Sequence, residues 1–131
     1  MTDKKYLETH EWYSVNDNEI TVGISDFAQS ELGDIVFVTL PAVDESFSKG
    51  EGMVEIEATK TVAEVYAPMD ITITEVNNKL DSEPELINGD PCGEGWIVKG
   101  TVKEVDDVGM SYQEYESFIS CLLYTSDAAD E

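Results

Sequence analysis

Val54 to Ala67 reads V-E-I-E-A-T-K-T-V-A-E-V-Y-A. Val54, Ile56 and Ala58 alternate with Glu55 and Glu57 on the way in, and Ala63, Val65 and Ala67 alternate with Glu64 and Tyr66 on the way out. A period of two makes each limb a strand with one dry face. Setting Ala58 against Ala63, Ile56 against Val65 and Val54 against Ala67 closes a hairpin with Lys60 and Thr61 at its turn. A slip of one residue would bury the three glutamates, so the face each side chain takes is strongly specified. Lys-Thr is an unusual tip, because tight hairpin turns favour Asn-Gly or Asp-Gly. Lys60 therefore reads as an amine held out at an apex with carboxylates on its shoulders. The plain alternative is an ordinary exposed lysine.

Working outward, Trp12 to Val15 and Glu19 to Ile24 flank Asn16-Asp17-Asn18 and predict an opening hairpin. Ser25 can cap a short helix over residues 26–32, with Gly33 just past its end. Ile35 to Leu40 is an apolar run ended by Pro41, expected to be a central strand. Ala42 to Gly52 reads as a polar loop anchored by Phe47, and Ile71 to Val76 as the next strand. Asn77 to Asp90 reads as a second loop, in which L-I-N-G-D at Leu86 to Asp90 echoes F-S-K-G-E at Phe47 to Glu51. Trp96 to Val102 gives a last strand. Ser111 and Glu114 make a capping box with a Met110–Tyr115 staple, opening a helix near 112–120. The expected fold is mainly β, a single domain of two small antiparallel sheets wrapped as a flattened barrel.

Five blocks occur together in order: T-H-E-W at Thr9 to Trp12, V-G-I-S-D-F-A-Q at Val22 to Gln29, L-G-D-I-V-F-V at Leu32 to Val38, the lysine hairpin, and G-D-P-C-G-E-G-W at Gly89 to Trp96. In these blocks, from about Tyr6 to about Ile119, the chain resembles the H proteins of the glycine cleavage system. The resemblance implies a lipoyl-domain-like barrel-sandwich hybrid, with lipoate attached covalently to Lys60. It implies that the lipoyl group takes an aminomethyl unit at the glycine decarboxylase (P protein) and delivers it at the aminomethyltransferase (T protein). Dihydrolipoyl dehydrogenase (L protein) would then reoxidise the group. Glu57 matches the acid of the family's E-x-x-K pattern and would help the lipoate-attaching enzyme find Lys60; its alternative reading is a solvated strand residue. His10, Glu11 and Trp12 are read as a packed aromatic with polar neighbours. The chain departs from the family at Pro68-Met69-Asp70-Ile71, where a small glycine-bearing turn is usual. Either Asp70 takes a positive φ there or the turn is built differently.

The 131 residues suit one domain with one core. All seven basic residues are lysines, against 29 acids and a net charge of −22. Lacking arginine, the chain lacks the bidentate grip on phosphate, and its field repels nucleic acid and anionic membranes. Protein partners with basic surfaces are expected, with the chain itself a monomer. No apolar run is long enough to span a bilayer and no leader is apparent, so the expected location is cytoplasmic. Cys92 and Cys121 have no metal-ligand spacing, and with His10 the sole histidine a metal site is not expected. Both read as free thiols, and Cys92 is given no role. The tail C-L-L-Y-T-S-D-A-A-D-E, residues 121–131, is what a transposase-type sequencing adapter beginning TGTCTCTTATACACATCT would encode. The expected domain is therefore 1–120, followed by a non-native tail. Removing the tail's acids, Asp127, Asp130 and Glu131, leaves the charge strongly negative.

No Ser/His/Asp or Cys/His set can be assembled, and an exposed amine beside carboxylates is a poor base or nucleophile. The chain therefore reads as a carrier subunit with no catalytic residues of its own. Three other readings stand beside it. A biotin carrier is disfavoured because Thr59-Lys60-Thr61 replaces Met-Lys-Met. An H-like protein could relay lipoate or sulfur to other complexes. An unmodified acidic module could dock on a basic protein through charge alone.

Overall fold

In a computed structural model of the chain, residues 4–7, 10–103 and 109–119 are described. The elements are β1 (Lys4–Tyr6), β2 (Glu11–Asn16), β3 (Glu19–Ile24), α1 (Asp26–Leu32), β4 (Ile35–Thr39), β5 (Ser46–Phe47), β6 (Gly52–Ala58), β7 (Val62–Tyr66), β8 (Ile71–Val76), α2 (Lys79–Ser82), α3 (Leu86–Gly89) and β9 (Val98–Thr101). A helix over 112–119, α4, follows. One sheet runs β1-β2-β3-β9-β8-β5 and the other β4-β6-β7, with every pairing antiparallel. The expected mainly-β architecture of two antiparallel sheets is present, although the sheets are unequal.

The main core lies between the sheets. Ile20 and Val22 of β3, Ile73 of β8 and Val98 of β9 meet Val38 of β4, Val54 and Ile56 of β6 and Val65 of β7. A second cluster, Tyr6, Trp12 and Tyr115, joins the outer strands to α4. Alternation accounts for the first core: in β6 the residues with odd-numbered glutamates face out and their neighbours face in. Burial of these side chains is the stabilising term, at roughly 25 cal/mol per Å² of apolar surface.

Several expectations change in the structure. The lysine hairpin pairs Val54 with Val65, Ile56 with Ala63 and Glu57 with Val62, a register two residues away from the expected one. A shift of two preserves the face of every side chain, so the alternation does not discriminate between the two pairings. Ala58 N–H donates to Thr61 O at 2.9 Å, placing Thr59 and Lys60 at the turn. β4 is an edge strand, not a central one. A bulge between Ile35 and Phe37 leaves Val36 and Phe37 outside the core, so only part of its apolar run is buried.

The two expected loops are partly ordered. Ser46 and Phe47 pair with β8, while Leu86 to Gly89 forms a helical turn, so the F-S-K-G-E and L-I-N-G-D segments are not equivalent. The last strand is shorter than expected, and β1 was not foreseen. Asp70 does not take a positive φ. Its carboxylate instead accepts the Lys49 N–H at 2.9 Å, tying the Pro68–Ile71 turn to the β5–β6 loop. Ser120 and the tail from Cys121 lie outside the described residues.

Candidate functional site: the lysine hairpin and its cleft

Lys60 is exposed at the tip of β6–β7. The turn is fixed at two points: the Ala58–Thr61 bond closes it, and Thr59 N–H donates to Asp34 O at 3.0 Å. That second bond runs to the α1–β4 junction, which the sequence prepares locally. Ser25 Oγ accepts the Ala28 N–H at 3.1 Å to start α1, and Gly33 N–H donates to Gln29 O as the helix ends. Gly33 has φ +84°, a conformation that favours glycine. A Cβ there would lie 3.0 Å from Thr59 Oγ1 and 3.4 Å from Lys60 Cε. The stem of Lys60 therefore rests over a bare backbone patch while its amine faces solvent. Asn88 locks the same junction, donating to Gly33 O and accepting the Ile35 N–H.

The expected carboxylates are present but form no ion pair with Lys60 among the described residues. Glu55 and Glu64 lie directly opposite each other in the ladder. Glu57 is the last residue of β6 with a ladder partner on both sides, Phe37 of β4 and Val62 of β7. All three glutamates are exposed.

On the inner side of the hairpin lies an open cleft of about 240 Å³. Ile56, Ala63 and Val65 form one wall and Ile24, Ala28 and Leu32 the other, and Glu11 and Glu31 also line it. Glu11 is 1 % exposed, and its carboxylate accepts the Tyr66 N–H at 3.0 Å. A slot with apolar walls and acidic groups suits a thin apolar chain ending in a cation.

His10 lines the cleft from behind. It has φ +75°, and its Nδ1 lies 2.8 Å from Tyr115 Oη, which is 2.6 Å from Ser25 Oγ. Burial lowers the His10 pKa below its ordinary value, opposed by the Glu31 charge, and burial raises that of Tyr115. A neutral His10 lets a directed chain run from Ala28 N–H to Ser25, from Ser25 to Tyr115 and from Tyr115 to Nδ1, with every group satisfied. Trp12 Nε1 donates to Pro91 O at 3.0 Å. His10, Glu11 and Trp12 are thus the packed aromatic and polar group expected of them. Sequence reasoning did not find the tie from α4 to the cleft, because it joins positions at opposite ends of the chain. Cys92 is half-buried, its Sγ 4.0 Å from Tyr6 Oη. No cluster that could hold a metal occurs among the described residues, and no helix among them is long and apolar enough to cross a membrane.

The family model for the glycine cleavage H-protein matches residues 4–121. The chain belongs to the glycine cleavage H-protein family. A glycine cleavage system H protein of Thermotoga maritima is 50 % identical over 121 residues, covering 90 % of this chain and 97 % of that one. One from Coprothermobacter proteolyticus is 49 % identical over 118 residues, covering 88 % and 93 %. The crystal structure of an H protein from Mycobacterium marinum superposes with a TM-score of 0.84 at 36 % identity, covering 90 % of this chain and 97 % of that one. Members of this family are the lipoyl carriers of the glycine cleavage system, and the mainly-β fold of this chain is that of an H protein.

Proposed function

We propose that Lys60 is the residue of this H protein that carries lipoate, in amide linkage. The observation that carries the reading is an exposed amine at the tip of a hairpin whose backbone is pinned to Asp34 and whose stem is supported by Gly33. A fixed tip lets an attaching enzyme meet the amine in one geometry, and the free end lets a tethered group reach successive partners at high effective concentration. Lipoate supplies a disulfide that exchanges an aminomethyl unit and electrons with partner enzymes. The chain supplies position and protection. The cleft walls at Ile56, Ala63 and Leu32 would hold the apolar stem away from water, and the nearby carboxylates favour a cationic end.

Glu57 marks Lys60 for the attaching enzyme from a ladder position directly below the turn. The partners of the loaded protein are the glycine decarboxylase, the aminomethyltransferase and dihydrolipoyl dehydrogenase, and the chain serves them as a carrier rather than as an enzyme. Lys60→Arg keeps the charge but cannot be acylated under the same chemistry. It is expected to fold with unchanged circular dichroism and to abolish glycine cleavage in a system reconstituted with those partners. Retained cleavage would favour a charge-only docking module.

A further inference from the structure

The outer face of the β4-β6-β7 sheet holds an arrangement that attachment at Lys60 does not by itself require. Pairing sets Phe37 opposite Glu57 and Glu57 opposite Val62. The three side chains therefore form one row across the sheet, with strands about 4.8 Å apart. Phe37 is 50 % and Val62 58 % exposed, although both residue types are usually buried. The next row away from the tip is Thr39, Glu55 and Glu64, so two apolar groups lie within an acidic field. Beyond Glu57–Val62 only the Ala58–Thr61 closure and the Thr59-Lys60 turn follow. A protein that covers Lys60 from this side must also cover the row.

We propose that Phe37 and Val62, flanking Glu57, are the docking surface for the lipoate-attaching enzyme, whose matching surface is an apolar notch rimmed by arginine or lysine. The inference rests on the reading of Lys60 as the attachment residue. Which atom reacts selects this partner over the others. The attaching enzyme must bring the carbonyl carbon of an activated lipoyl acyl donor to Nζ. There the C–N bond forms, the bond to the activating group breaks with its electron pair, and the amine gives a proton to solvent. Enzymes that use the loaded arm meet its far end. The flanking side chains act in two ways. They lose water on docking, and they dry the surround of Glu57 so that a bond from a partner guanidinium to its carboxylate strengthens. The surrounding glutamates complement a cationic rim and speed encounter.

The test is the steady-state rate of lipoate attachment to the full apo-chain by a lipoate ligase supplied with lipoate and ATP, with the modified residue located by peptide mapping. Phe37→Ser combined with Val62→Thr is expected to lower kcat/KM roughly tenfold or more, mainly through KM. Phe37→Leu, which keeps an apolar group, is expected to retain most of the rate. Val43→Ser, which removes an exposed apolar side chain outside this row, provides the control for general surface change and is expected to match the parent. Thermal melts confirm that each variant is folded. Modification of the parent chain at Lys60 with an unchanged KM for the double variant would overturn this docking surface and leave the Lys60 reading intact. Failure of the parent chain to accept lipoate at Lys60 would overturn that reading and this surface with it.

Discussion

Tyr115 joins three parts of the molecule through one hydroxyl, bonded to Ser25 at the start of α1 and to His10 beside the cleft. Tyr115→Phe removes that oxygen from a buried position, and the expected cost is about 1–3 kcal/mol in urea unfolding. His10 provides a direct check on the same network. Its pKa is lowered in the fold, with burial the main cause. Below the ordinary value of 6.5, the unfolded chain takes up a proton that the folded chain resists, so this group contributes stability that is lost as the pH falls through that window. The ring protons of this sole histidine are expected to titrate in NMR with a midpoint below 6.5. A midpoint above it would show that His10 is not held neutral. At this scale the exposed position of Lys60 at a hairpin tip and the Ser25 cap were legible, because each sits in a local pattern. The positive φ of His10 and its bond to Tyr115 depend on long-range packing and have no local signature.

The lysine hairpin is held less by its turn residues than by the element beside it. Gly33 ends α1 with a positive φ and leaves room for Thr59 and Lys60. Gly33→Ala is expected to cost about 1–3 kcal/mol through backbone strain, because φ +84° with ψ −154° is a region that essentially only glycine occupies. It should also slow lipoate attachment, because the new methyl group presses on the Thr59 hydroxyl and the Lys60 stem; chemical denaturation and ligase assays measure the two effects. In α4, Ser111 and Glu114 exchange the two bonds of a capping box, and the Ser111 N–H is the main cause of the lowered Glu114 pKa. Ser111→Ala is expected to cost about 1 kcal/mol. These caps were readable because capping chemistry occupies fixed offsets. The hairpin register was not, because alternation fixes register only to within two residues. The edge position of β4 was hidden for another reason: Val36 and Phe37 are apolar on the outside, where a buried strand and a docking strand look alike.

At the scale of the whole molecule, two sheets of unequal size enclose one main core, and the smaller sheet presents the lysine together with an acidic, partly apolar face. With a net charge of −22, association with cationic partner surfaces is expected to weaken as salt rises and the Debye length falls below about 10 Å. The apparent KM of each partner enzyme for the loaded protein should therefore increase with ionic strength, and a flat profile would count against charge-guided docking. The fold holds Lys60 out at the tip of the hairpin, and its proposed modification there can be measured. Intact mass and peptide mapping, after expression in cells supplied with lipoate and biotin and containing a competent ligase, test it most directly. A lipoyl-sized increment confined to the peptide bearing Lys60 is expected. A folded chain with no increment, or with one on another lysine or of the size of biotin, would contradict it.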